Sequence, residues 1–156
     1  MKLLLQELRV VNALPPVADA FAGTVYPTGV NISGIGKLFF IIQKGVGTTG
    51  TSTVTVVAGD DASPLTESAV PFVYRRVASN NTTIGTVTRA TAAGFTTTAG
   101  SSDTYVIEVD AQELGASGYK YCHLKLVESV DAAVLGGVIA LGTDLRYADD
   151  TSDIVS

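Results

Sequence analysis

The chain has 156 residues, a formal net charge of −5 and only 16% charged residues. That size is one domain, and the acidic balance repels a phosphate backbone, which argues against nucleic-acid binding. Hydrophobic residues make up 46%, enough for a core, while Thr, Ser and Gly replace the missing charge and leave a neutral, hydroxyl-rich surface suited to contact with other protein.

Met1-Lys-Leu-Leu-Leu5 begins like a leader, but Gln6-Glu7 and Arg9 interrupt the apolar run before it reaches the length of a signal sequence. No stretch reaches the roughly 18 apolar residues of a membrane span, so the expectation is a chain made and used without secretion and without a membrane partner. Residues 1–12 read as an extended arm, an edge strand or a short helix, stopped by Pro15-Pro16. Residues 17–36 are loop-like, with Gly23, Pro27, Gly29, Gly34 and Gly36.

Lys37-Leu-Phe-Phe-Ile-Ile-Gln43 is apolar on both faces in its middle, the pattern of a central strand covered on both sides. Gly45-Val-Gly-Thr-Thr-Gly50 then leads into the β-branched run Thr51–Ala58, and a hairpin pairing Lys37–Lys44 with Thr51–Ala58 is expected. After the turn cluster at Gly59–Pro64 comes Val70–Val77, with Val70, Phe72 and Tyr74 on one face and Pro71 marking an edge or a strand opening. Thr83–Thr91 is a Thr/Val strand with a bulge expected at Gly85. Thr104–Asp110 has the clearest period of two. Ala111–Leu114 reads as one helical turn ended by Gly115 and Gly118. Tyr119–Val127 follows with Cys122, Leu124 and Leu126 inward, and Ala132–Leu141 is a last apolar strand broken at Gly136-Gly137. The expected fold is therefore all-β, an antiparallel β-sandwich of jelly-roll or Ig-like type with about seven or eight strands. Residues 1–20 form an extended N-terminal arm, 21–148 the sandwich domain and 149–156 a polar C-terminal tail.

The chemistry-bearing residues are few. Cys122 is the only cysteine, so there is no intrachain disulfide and no cysteine-based zinc site. Cys122 and His123 would form a nucleophile pair only if their side chains met, and neighbours on a strand diverge. His123 has no second histidine at ligand spacing. Asp60-Asp61 and Asp149-Asp150 offer hard oxygen ligands but lack calcium-loop spacing, and read as solvated turns. Gly45–Gly50 lacks the Gly-Lys-Ser/Thr ending of a phosphate loop and precedes a strand rather than a helix. Glu108 and Asp110 share a strand face, as paired glycosidase carboxylates would, but the chain has no tryptophan to stack on a sugar. Arg75-Arg76 would point to opposite faces. Tyr26, Tyr74, Tyr105, Tyr119, Tyr121 and Tyr147 suit an interface or a core. No catalytic, cofactor-binding or metal-ligating residue is assigned, no cofactor is expected, and the chain does not read as an enzyme.

Several runs, in order, carry a resemblance: Asn12–Asp19, Gly45–Val57, Asp60–Pro64, Ala69–Arg75, Ala90–Ala99, Tyr105–Asp110 and Val134–Val138. With these the chain resembles, from about residue 7 to residue 147, a family of small virion structural proteins encoded beside the head genes of tailed bacteriophages. The resemblance implies a head decoration, or cement, protein. Such a protein would be made in the host bacterial cytoplasm and reside on the capsid surface, with the major capsid protein and copies of itself as partners, a trimer favoured. It implies no functional residues. A head–tail joining or tail-associated component and a carbohydrate-binding adhesion module are the alternatives; copy number separates the first from decoration, and the missing tryptophan counts against the second. Residues 1–20 are the expected contact with shell or neighbour.

Overall fold

Alternation of apolar and polar residues decides which strands form, and their burial shows which face each presents. The structure is a computed structural model that describes residues 7–63, 66–79 and 84–145. It contains twelve strands and one short helix among the described residues: β1 (Arg9–Val17), β2 (Thr24–Val25), β3 (Val30–Asn31), β4 (Lys37–Lys44), β5 (Thr51–Gly59), β6 (Ser68–Val70), β7 (Phe72–Val77), β8 (Thr88–Ala90), β9 (Phe95–Thr96), β10 (Thr104–Asp110), α1 (Ala111–Ala116), β11 (Tyr121–Val130) and β12 (Gly136–Thr143).

All pairings are antiparallel. The first sheet runs β1-β12-β4-β10-β7-β8; the second runs β2-β11-β5-β6, with β3 added on β11 and β9 on β5. The two sheets enclose one core. The first contributes Leu38, Phe40 and Ile42 from β4, Tyr105, Ile107 and Val109 from β10, and Val138 and Ala140 from β12. The second contributes Val54, Val56 and Ala58 from β5 and Cys122, Leu124 and Leu126 from β11. Phe21, Ile32, Ile35 and Val134 fill the rims. Each large side chain so buried stabilises the fold by about 2 kcal/mol.

The β-sandwich is as expected, and so are the inward set of β11 and the helical turn after Asp110. Three expectations are corrected. The strand number is twelve, not seven or eight, because strands of two or three residues (β2, β3, β6, β8 and β9) join the sheets at their edges. The hairpin between Lys37–Lys44 and Thr51–Ala58 does not form: β4 lies in the first sheet between β12 and β10, β5 lies in the second beside β11, and residues 45–50 carry the chain across the sandwich as an arch.

The third concerns the stop at Pro15-Pro16; of the arm, edge strand or short helix expected of residues 1–12, the edge strand is what forms. Of residues 1–20, Arg9–Val17 is the hydrogen-bonded edge strand of the first sheet, while residues 1–6 and the tail 149–156 lie outside the described residues. Pro15-Pro16 does not end β1 but bends it, with register shifts after Asn12 and after Leu14. An edge strand tolerates proline because one side of its backbone needs no partner. Gly137, expected to break the last strand, makes room for this bend: a β-carbon there would lie 2.8 Å from the Leu14 carbonyl oxygen and 3.2 Å from the Pro16 nitrogen.

Candidate functional site

Three polar clusters and one apolar face stand out. The first cluster lies on the outer face of the second sheet. His123 points away from Cys122, as strand alternation requires, yet its side chain is 3% exposed. Register places His123 opposite Val57 on β5, and Val57 opposite Ala69 on β6. Glu67, just before β6, reaches back so that its Oε1 lies 2.7 Å from His123 Nε2, with the Glu67 side chain fully buried. The approach is off the line of a hydrogen bond, and Glu67 Oε2 has no hydrogen-bond partner among the described residues, so the contact is an ion pair when the ring is protonated. Two glycines shape the slot. A β-carbon on Gly29 would collide with the His123 ring, and one on Gly59 would lie 2.7 Å from Glu67 Cγ. Cys122, in the core, has its pKa raised by burial and secondarily by the Glu67 charge, which leaves it an inert thiol. The Cys122–His123 nucleophile pair is thus ruled out by geometry. The partner of His123 was missed because nothing in the sequence marks a glutamate 56 positions away as its neighbour.

The second cluster joins Lys37 to Glu108 at 3.2 Å and to Asp110 at 3.3 Å. These bonds, Glu108's first, raise the Lys37 pKa. Asp110 also caps α1, its Oδ1 accepting from the Glu113 N–H at 3.0 Å, and this bond chiefly holds its carboxyl below the usual range. The two carboxylates paired on the sequence do share a face, but each is bound to the same lysine.

The third cluster plugs one end of the sandwich. Asp103, 3% exposed, accepts from Arg76 Nη2 at 2.9 Å and from Arg76 Nε at 3.1 Å. Lys44 donates to the Thr98 carbonyl at 2.6 Å, and burial lowers its pKa. Arg76 therefore lies on the side of β7 that carries Phe72 and Tyr74, its side chain still 41% exposed, while Arg75 lies on the other, the divergence expected of neighbours. Beside it Tyr74 stacks on Phe95 at 3.9 Å between ring centres, with Phe72 and Tyr105 against the same ring.

The remaining candidates resolve as turns and loops. Asp61 Oδ1 accepts from the Ser63 N–H at 2.7 Å and from the Thr66 hydroxyl at 3.2 Å, a self-satisfied turn. Asp149 and Asp150 lie outside the described residues. In the loop Gly45–Gly50, the Gly45 N–H donates to Leu135 O and the Gly47 N–H to Ser101 Oγ, so these donors are spent inside the fold. Among the described residues no group of three or more His, Cys, Asp or Glu could hold a metal ion, and no helix is long and apolar enough to cross a membrane.

The apolar face is the outward side of the first sheet. Register aligns two rows across it: Asn12, Ile139, Ile41, Val106 and Arg75 in one, and Val10, Leu141, Phe39, Glu108, Val73 and Arg89 in the next. Val10 is 59% and Ile139 44% exposed; Phe39, Ile41, Val73, Val106 and Leu141 are half-buried by one another. Beyond β7, Ile84 bridges to Val77 and stands 64% exposed. Shallow depressions flank the central strand, one bordered by Val10, Leu14, Ile41 and Ile139, the other by Phe39, Val73, Val87 and Val106. The outer side of an antiparallel sheet ordinarily alternates to polar residues; here Asn12, Arg75, Glu108 and Arg89 are interspersed with the apolar Val10, Phe39, Ile41, Val73, Val106, Ile139 and Leu141.

No family model matches the chain, and no curated protein matches it. Among solved structures the chain is similar to the SPBc2 prophage-derived protein YomS, at 9% identity over 88% of this chain and 93% of that one, with a TM-score of 0.48. A second likeness is to the structure of infectious bursal disease virus Gx strain, at 17% identity over 96% of this chain and 41% of that one, with a TM-score of 0.19.

Proposed function

We propose that this chain is a virion structural protein of a tailed bacteriophage that decorates the outside of the capsid shell and braces the contacts between its capsomers. The observation that carries a binding role over a catalytic one is the apolar outer face of the first sheet, which offers a contact surface rather than a reaction site. The phage head as the place of that contact rests on the sequence resemblance, which spans residues 7–147. The physics suits the role. A cement protein needs a rigid scaffold and a surface for protein, and many weak contacts on a symmetric shell add through multivalency. The partners in this reading are the major capsid protein and further copies of the chain.

Quantitative mass spectrometry of purified virions tests it, as copies of this chain per copy of major capsid protein. A ratio near one, or a simple fraction matching threefold or sixfold axes, is the expected result. A dozen or so copies per virion would move the protein to the neck or tail, and absence from the particle would end the reading.

A further inference from the structure

We infer that the outer face of the first sheet is the interface between two copies of this chain, packed face to face about a two-fold axis. The inference rests on the self-association in the reading above and names its surface; it replaces the ring of three expected from a symmetry axis with a pair, because a patch that meets itself closes after two.

Strand β4 supplies the first reason. Its sequence is that of a strand covered on both faces, and the described residues cover only one: Leu38, Phe40 and Ile42 are in the core, while Phe39 and Ile41 face outward. None of the described residues supplies the second cover, and a second copy of the chain would. The size of the face supplies the second reason. Six strands about 4.8 Å apart and about seven residues long present roughly 650 Å² of sheet, close to the ~800 Å² that each partner gives to a stable interface. Its position supplies the third. Phe39, Ile41 and Val106 sit on the central strands β4 and β10, with Ile139 on one side and Val73 on the other. A two-fold related copy therefore sets apolar against apolar in both halves.

Charge selects a second copy over an acidic or basic partner. The face carries Lys37, Arg75 and Arg89 against Glu108 and Asp110, while the whole chain carries −5. Lys37 already pairs with both carboxylates within each copy, and Arg75 and Arg89 offset the one negative charge that remains. This near-balanced surface is where two acidic chains meet with little mutual repulsion.

Sedimentation velocity of the full chain at about 1–100 µM tests this across the affinities usual for such areas. The wild-type protein is expected at twice the 16.1 kDa monomer mass. Ile139→Asp is expected to weaken pairing at least tenfold with the far-UV circular dichroism unchanged, since the residue is already 44% exposed in the single chain. Should that variant not fold, Val10→Asp, on the edge strand, takes its place. Ala69→Asp, on the exposed edge of the second sheet, is expected to leave the pair intact. A wild-type monomer throughout the range, a trimer, or a pair indifferent to Ile139→Asp and Val10→Asp would overturn the inference. A monomer whose incorporation into virions is lost with Ile139→Asp would assign the face to the shell instead, and would overturn it too. A two-fold pair absent from virions would leave the inference standing and remove the decoration reading.

Discussion

Gly29 is the residue where a single methyl group tells most about the fold. Its backbone lies directly on the His123 ring, and the ring in turn faces the fully buried Glu67 carboxylate. Gly29→Ala therefore forces the ring to move in a slot that Glu67 closes from the other side. The expected cost is about 2 kcal/mol of unfolding free energy, the usual price of overpacking, read from urea midpoints. In a His123→Ala background the same substitution is expected to cost less than about 0.5 kcal/mol, because the two sites couple only through the ring. An equal cost in both backgrounds would show that the methyl meets something else. None of this was legible beforehand. The sequence shows His123 alone; its partner arrives by register across two further strands, and register is set by nonlocal packing rather than by spacing along the chain. The inward set of Cys122, Leu124 and Leu126 was legible because alternation is a local property.

At the scale of elements, the junction of β10 with α1 joins a strand end, a helix cap and an ion cluster in one residue. Asp110 accepts from the Glu113 N–H, which holds its pKa below the ordinary 3.8. The unfolded chain then binds more protons than the native one as the pH falls below 3.8, so the contribution is complete above that value and is lost as the pH falls through the depressed native value. Asp110→Ala is expected to cost about 1 kcal/mol at neutral pH through loss of the cap. Asp110→Asn keeps a capping oxygen without the charge. Its thermal midpoint is expected to lie below the wild type at neutral pH and to converge on it in acid; a gap that persists at low pH would detach the effect from ionisation. The helical turn itself could be read from the sequence, since Asp110 and the glycines after it are local punctuation. The arch between β4 and β5 could not. A six-residue, glycine-rich connection serves equally for a hairpin within a sheet and for a crossing between sheets, and only the competition of β12, β10 and β11 for hydrogen bonds decides. The short strands β2, β3 and β9 escaped for a related reason, since two residues carry no period, while β8 lies within the expected Thr83–Thr91.

At the scale of the whole molecule, the described residues form a sandwich with one side wrapped by its own loops and the other without such a wrap. On the second sheet, Gly29 and Glu67 close over His123; on the first, Phe39, Ile41 and Ile139 have no such cover from the described residues. The sequence pattern of β4 anticipated a cover on both faces, and among the described residues only the inner one is present. Pairing through that face has a distinctive response to salt. An interface held by charge pairs weakens as ions screen it, whereas here the attraction is apolar and the long-range term is repulsion between two chains of −5. Raising sodium chloride from about 0.05 M to about 0.5 M shortens the screening length several-fold, and the dissociation constant is expected to stay level or fall. The thermal midpoint is expected to rise with protein concentration, since association stabilises only the folded chain. Sedimentation equilibrium at the two salt concentrations reads the first effect and calorimetry across a concentration series reads the second. A pair that came apart as salt rose would place its main attraction in Arg75, Arg89 and their contacts instead of in the apolar rows.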